Sequence, residues 1–308
     1  MNAVLRRLTH LTRLAFAATT LSAALATGVA TSAHAATRIP VVAAESFYGD
    51  VVKQIGGDHV AVKSIMSNPD QDPHLFETSP STARQLSAAR VVVYNGAAYD
   101  PWMDKLLSAS PRPDRVAIEA AALVGKKPGD NPHLWYLPAT MPATAKAVAD
   151  ALKQADPSSQ ADVDRGLAAF LASLDPINAK IAAMRAKYQG LPVTATEPVF
   201  GYMADALGLD MRNMHFQVSV MNDTEPSATD LAAFQQDLRE RRVKVLFYNS
   251  QVSDEMTSKM LAIAKSAGVA VVSVTETEPN GMNYQSWMLH QLNALDAALS
   301  PKPGANAK

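Results

Sequence analysis

The 308-residue sequence contains no cysteine. That excludes disulfides, thiolate zinc sites, iron–sulfur clusters, thiol catalysis and a lipid-bearing N-terminal cysteine. Aromatic residues are few, at 6%, and neither sign of charge dominates: 28 basic residues face 29 acidic ones, for a net charge of −1. Such a balance offers no basic field to attract nucleic acid. With 48% hydrophobic and 19% charged residues, the chain is neither disordered nor collagenous. Its length suffices for one or two domains with a sizeable core.

What is present begins with an address. Arg6, Arg7 and Arg13, with no acid among them, precede an Ala- and Leu-rich stretch over 14–31 and the small-x-small triplet Ala33-His34-Ala35. This is the pattern of a secretory signal peptide over 1–35. Thr, Ser and Gly dilute the apolar stretch below that of a membrane anchor. The Arg6-Arg7 pair leaves twin-arginine export open beside the general route. The segment carries three Arg and no acid, so its removal takes the net charge from −1 to −4, and His10 and His34 leave with it. No later run reads as long and apolar enough to cross a bilayer. The mature chain is therefore expected to be soluble and periplasmic, without membrane insertion.

Over 36–140, short apolar runs alternate with helical patterns. Strands are expected at Ile39–Ala44, His59–Ile65 and Arg90–Tyr94. Helices are expected at Phe47–Ile55, from Ser79-Pro80-Ser81 onward, and at Pro101–Leu107. From 141 to 190 no strand candidate occurs. Leu167, Phe170, Leu171, Leu174, Ile177, Ile181 and Met184 recur at helical spacing, with breaks at Asp156-Pro157 and Asp175-Pro176. This block reads as a linking spine. Over 191–300 the alternation returns, with strands expected at Leu191–Ala195, Gln217–Met221, Val243–Tyr248 and Val269–Val274 and a last helix at Tyr284–Leu299. A polar tail, 301–308, follows. The fold class is α/β: two lobes, each a small parallel sheet flanked by helices, joined by a long spine helix.

Five histidines remain after the presequence. His74 and His133 share a context, Asp72-Pro73-His74-Leu75 and Asn131-Pro132-His133-Leu134. Each follows a strand candidate in a proline-stiffened turn, where open α/β sheets gather ligands. Paired imidazoles there suit a borderline metal ion. Glu197, in Thr196-Glu197-Pro198, takes the same place at the end of the Leu191–Ala195 strand. Zinc accepts His and Glu together, and manganese does too. Taken alone, Glu197 also reads as an acid complementing a helix N-terminus. His59 reads as structural or exposed, His215 as part of a surface loop and His290 as a helix-surface residue.

From Ile39 to Leu299 the chain resembles the metal-binding solute receptors of ABC importers, the zinc and manganese group. The resemblance rests on Asp72-Pro73-His74 with Glu77, Tyr94-Asn95-Gly96, Asn131-Pro132-His133-Leu134-Trp135 and Thr196-Glu197-Pro198-Val199-Phe200-Gly201-Tyr202. Glu225-Pro226-Ser227 and Glu276-Thr277-Glu278-Pro279 extend it. It implies one ion held between the lobes by His74 and His133 of the first and Glu197 of the second. Delivery to a membrane permease is implied too, by a receptor usually monomeric, with zinc favoured over manganese. The family's frequent fourth ligand, an Asp near the last helix, has no clear counterpart, because Asn280-Gly281-Met282-Asn283 stands there. Met282, Glu276, Glu278 or water remain open for that role. A His-rich loop between the first two ligands is also lacking, Lys126-Lys127-Pro128-Gly129-Asp130 taking its place.

The resemblance implies a binding protein and not an enzyme. Capture requires neutral imidazoles, so affinity should fall below about pH 6. The competing readings are an exported zinc hydrolase with a His/His/Glu site, an adhesin-like surface protein of the same fold, and an organic-solute receptor lined by Trp135, Phe200 and Tyr202. No His-Glu-x-x-His helix supports the hydrolase. Glu77 could hold the His74 imidazole from outside the ligand set.

Overall fold

The structure, a computed structural model, describes residues 38–69, 76–252 and 254–300. The presequence over 1–35, His74 and the tail over 301–308 lie outside the described residues. The first lobe runs β1 (Ile39–Glu45), α1 (Ser46–Gly56), β2 (Val60–Met66), α2 (Pro80–Ala88), β3 (Val91–Tyr94), α3 (Pro101–Ala109), β4 (Val116–Glu119) and α4 (Ala120–Leu123). Its strands are all parallel, in the order β2-β1-β3-β4, with Val41 opposite Val62 on one side and Val91 on the other. β1 is buried at all but one position, and β3 throughout. Continuous apolar strands of this kind need helices on both faces. α2 starts where expected: the Ser79 hydroxyl accepts the Thr82 N–H, with Pro80 in the first turn.

The spine consists of α5 (Thr140–Ala155), α6 (Gln160–Ser173) and α7 (Asp175–Tyr188). Asp156-Pro157 separates the first two, the Asp156 side chain accepting the Ser158 N–H. Asp175-Pro176 bends the second into the third. Taken as one bent run, Pro157–Tyr188 spans 32 residues and is long and apolar enough, by length and composition, to cross a membrane. That corrects the expectation that no later run is. The reason is alanine: small residues raise hydropathy along faces that pack little, while Val163, Phe170, Ile177, Met184 and Tyr188 are the residues buried. At Gly166 a Cβ would collide with the carbonyl of Ile55, so α6 sits close on α1 only because that side chain is missing.

The second lobe runs β5 (Pro192–Ala195), α8 (Gly201–Leu207), β6 (Asp210–Arg212), α9 (Met214–Met221), α10 (Ala228–Arg239), β7 (Val245–Asn249), α11 (Glu255–Ala267), β8 (Ala270–Val274) and α12 (Tyr284–Leu299). Its parallel order, β6-β5-β7-β8, repeats that of the first lobe. One expectation fails here: Gln217–Met221 is the end of helix α9, not a strand. Its β-branched alternation mimics a strand, but adjacent Phe216 and Gln217 are both buried while Val218 is exposed. Gln217 reaches back to the Arg212 carbonyl, which strand geometry would not allow. The pairing with β5 falls instead to polar, three-residue β6. His215 therefore lies on a helix, exposed as expected.

The largest of four buried apolar clusters among the described residues runs through both lobes and the spine, from Val41 and Phe47 through Phe170 and Met184 to Val193 and Trp287. Across the lobe boundary, Trp287 packs against Phe47 and Tyr136, and Phe200 bridges Tyr136 to Phe247, with centroids 4.7–5.9 Å apart.

Asp296 of α12 ties the spine to the second lobe, accepting from Lys180 at 2.6 Å, Tyr188 at 2.5 Å and Lys187 at 3.3 Å. Lys180 foremost, then Tyr188 and Lys187, hold its carboxyl well below the usual carboxylate range. A depressed carboxyl contributes stability above its unfolded pKa and loses it as pH falls through the folded one. Asp296→Asn should therefore cost roughly 1–2 kcal/mol at pH 7, discounted for partial exposure. The gap should close as pH drops below about 4. Urea melts of both proteins at pH 7 and pH 3 check this; a pH-independent gap would contradict it.

Candidate functional site

The order of the second sheet places β7 between β5 and β8. Because the strands are parallel, their carboxyl ends lie on one edge, the edge where such sheets gather ligands. Glu197 follows the end of β5, Asn249 ends β7 and Glu276 follows the end of β8. All three are buried, at 2%, 1% and 0% exposure. The Asn249 Nδ2 donates to Glu197 Oε2 at 2.5 Å and to Glu276 Oε1 at 2.7 Å. Nearby, Gln251 Oε1 accepts the backbone N–H groups of Glu276 and Thr277, at 2.5 and 3.2 Å. Its Nε2 donates to the Pro69 carbonyl of the first lobe at 2.6 Å, and the Thr277 hydroxyl donates to the same carbonyl at 2.8 Å.

The first lobe brings His133 to this edge. Asn95, closing β3, accepts from the Tyr48 hydroxyl at 2.8 Å and donates to the Pro132 carbonyl at 2.8 Å, which fixes the turn before His133. Gly96, at φ +74°, passes so close to Glu119 that a Cβ would collide with that side chain, so the turn after Asn95 needs glycine. Beyond His133, the Tyr136 hydroxyl donates to the Thr275 carbonyl at 2.9 Å, one residue before Glu276, and Tyr284 donates to the Trp135 carbonyl at 2.9 Å. The first lobe's turn is thereby pinned to the end of β8.

The imidazole's tautomer follows from its partners. Asn131 Nδ2 donates to the Pro198 carbonyl at 2.7 Å, and its Oδ1 accepts the His133 backbone N–H at 3.1 Å. Those two contacts orient the amide, so the Nδ1 found 2.6 Å from Oδ1 carries the proton. In the neutral ring Nε2 then presents its lone pair; among the described residues it has no hydrogen-bond partner, and Glu276 Oε2 is 3.5 Å away, with both side chains fully buried. Tyr99 packs edge-on to His133 and Trp135; burial first, then the Glu276 and Glu45 charges, push its hydroxyl pKa up. Asp100 accepts the N–H groups of Asn95 and Gly96 at 2.7 and 2.8 Å, and burial raises it to about 6. Burial, with Asp100 next, raises Glu45 as well. A pocket of about 320 Å³, lined by Tyr99, Asn131, Pro132, Pro198 and Met214 among others, reaches the rim of the cluster.

Of the residues singled out in the sequence, His133 and Glu197 join one buried network, and Glu276, one of four possibilities left open, completes it. Glu278 does not: it faces Asp50 and Lys53 of α1, and burial, then Asp50, raises it to about 8. Met282 packs part-buried against the core. Glu77 is exposed, and Phe200 lies in the core rather than at a cleft wall. His59 bonds Asp162 of the spine at 2.8 Å. Among the described residues no three His, Asp or Glu side chains converge at metal-holding distance. Sequence reasoning missed Asn249, Gln251 and Tyr99. The signal for Asn249 was its place at a strand's carboxyl end, the same rule that found Glu197.

Comparison with known proteins agrees with this organisation. Residues 41–298 match the family described as "Zinc-uptake complex component A periplasmic". A manganese ABC transporter substrate-binding lipoprotein, PsaA of Streptococcus anginosus, is 24% identical over 284 residues, 85% of this chain and 90% of that protein. A putative metal-binding protein of Treponema pallidum (strain Nichols) is 24% identical over 287 residues, 85% of this chain and 88% of that protein. The solved structure of the periplasmic zinc binding protein TroA from Treponema pallidum shares the fold, with a TM-score of 0.72 at 20% identity over 86% of this chain and 100% of that one.

Asn131→Leu removes the acceptor that selects the His133 tautomer. In ¹⁵N spectra at pH 7.5, wild-type His133 should show a single Nδ1–H form with Nε2 unprotonated, and the variant a mixture. A wild-type Nε2–H form would contradict the assignment.

Proposed function

The chain belongs to the zinc-uptake complex component A family, transporter substrate-binding proteins and not enzymes, and on that premise we propose that it captures a divalent transition metal between its lobes and delivers it to an ABC permease. The donors are His74 and His133 of the first lobe and Glu197 of the second, with Glu276 as the fourth. Zinc is the favoured cargo, by its place in the Irving–Williams order, with manganese next. The protein acts as an exported, periplasmic, soluble monomer.

The observation that carries this reading is the separation of His133 Nε2 from Glu276 Oε2, 3.5 Å, in a fully buried setting. Two ligands of one tetrahedral zinc, each about 2.1 Å from it, lie about 3.4 Å apart. A lone pair and a carboxylate held at that spacing, with the Nδ1 proton committed to Asn131, are arranged for a shared cation. Glu197 is joined to Glu276 through the Asn249 amide, which brings a second carboxylate to the same edge. Two carboxylates balance the charge of a divalent ion. The shared core limits closure, so uptake works by side-chain convergence and a small shear between lobes. The hydrolase and organic-solute readings find no support beside this.

Titration of chelator-stripped protein should give one zinc per chain, with affinity falling below about pH 6. His133→Ala, Glu197→Ala and Glu276→Ala should each weaken binding by more than roughly 100-fold, beyond the range of outer-shell partners. His74→Ala should do the same. A wild-type protein that binds neither zinc nor manganese, or a Glu276→Ala protein with unchanged affinity, would contradict the reading.

A further inference from the structure

Asn249 is not among the proposed donors, yet its carboxamide touches two of them. Its orientation is fixed from the backbone side, where Oδ1 accepts the Gln251 N–H at 3.1 Å. The end facing the glutamates is therefore the NH₂ group, with both hydrogens available. The residue is anchored as well. Its own N–H donates to Thr196 Oγ1 at 3.2 Å, and the Thr196 N–H donates to the Phe247 carbonyl at 3.0 Å. β7 thus holds Asn249 rigidly against β5 on one side and β8 on the other, and the two glutamates meet on its amide.

Two buried carboxylates side by side repel each other. A neutral donor that bonds one oxygen of each offsets that repulsion without adding charge of its own. We infer that Asn249 is the positioning residue of the metal site: its two N–H bonds set the spacing and rotation of Glu197 and Glu276 and thereby the preference for a small, four-coordinate ion. This rests on Glu197 and Glu276 being ligands. With the amide in place, each glutamate has one oxygen engaged and turns the carboxylate toward the imidazole side in a one-oxygen mode. Without it, the carboxylates spread and take up two-oxygen binding, which larger ions of higher coordination number accept more readily than zinc.

The test uses the full mature chain stripped of metal and titrated with zinc and with manganese against a chromophoric chelator. Cobalt(II) serves as the reporter of coordination geometry. Asn249→Leu keeps the shape of the side chain and removes both donors; Asn249→Ser keeps one. The leucine variant should lose roughly 10–100-fold in zinc affinity, the span found for partners outside the ligand set. Its manganese affinity should fall less, and its cobalt visible bands should weaken as four-coordination gives way. The serine variant should lie between it and wild type. Should the leucine variant fail to fold, the serine variant and the Asn249 side-chain amide signals of ¹⁵N-labelled wild type decide. Those signals should shift on zinc binding, because both acceptors then share their charge with the ion.

A leucine variant with a lowered melting temperature but wild-type affinities and cobalt spectrum would overturn the inference, leaving Asn249 a structural residue only. Unshifted amide signals would overturn it too. Zinc binding that is lost in Glu276→Ala but intact in Asn249→Leu defeats this inference alone. Absence of metal binding by wild type defeats the ligand reading beneath it.

Discussion

The Nε2 of His133 and a carboxylate oxygen of Glu276 lie 3.5 Å apart, with both side chains fully buried. Water exclusion makes such an arrangement costly, and a chain keeps it only where the surrounding structure over-determines it. Much of the fold near the site does that work. Asn131 commits the Nδ1 proton, Asn95 fixes the turn, Tyr136 bolts that turn to the end of β8 and Tyr284 bolts it to the start of α12. On the other side Asn249 and Gln251 hold the glutamate-bearing ends of β5 and β8. A divalent cation placed between them would be held by both groups at once, which suits a buried, polar seam of this kind to a receptor for metal.

The lobes around the seam are tied together. A shared core and the aromatic chain from Phe47 through Trp287, Tyr136 and Phe200 to Phe247 join them. The bent spine adds a second tie through Asp296. Gln251 and Thr277 reach from the second lobe to the Pro69 carbonyl of the first.

Much of this was legible in the chain itself. Buried parallel strands announce themselves as apolar runs, and the capping residues Ser79, Ser227 and the Asp156-Pro157 break mark helix boundaries by local chemistry. Glu197 could be placed because its proline turn follows the end of β5; His133 was legible only from its Asn-Pro-His context, since helix α4 and a loop, not a strand end, precede it. Which of Met282, Glu276 and Glu278 turns toward His133 could not be read from the sequence, since all three lie in one loop whose course is set by Gln251, just beyond β7, accepting the Glu276 and Thr277 N–H groups. Strand β6 and helix α9 were misread for a related reason. A three-residue polar strand gains its place from the register with β5, while the β-branched stretch after it is fixed as a helix by Phe216 packing on Phe234. Nonlocal contacts decide both, and no local pattern reports them.

The most direct test of the central claim is a crystallographic anomalous difference map recorded at the zinc edge from zinc-loaded protein. The account predicts one strong peak per chain, about 2.0–2.2 Å from His133 Nε2 and from one oxygen each of Glu197 and Glu276. A peak elsewhere, or density at the seam that leaves Glu276 out of contact with the ion, would contradict it.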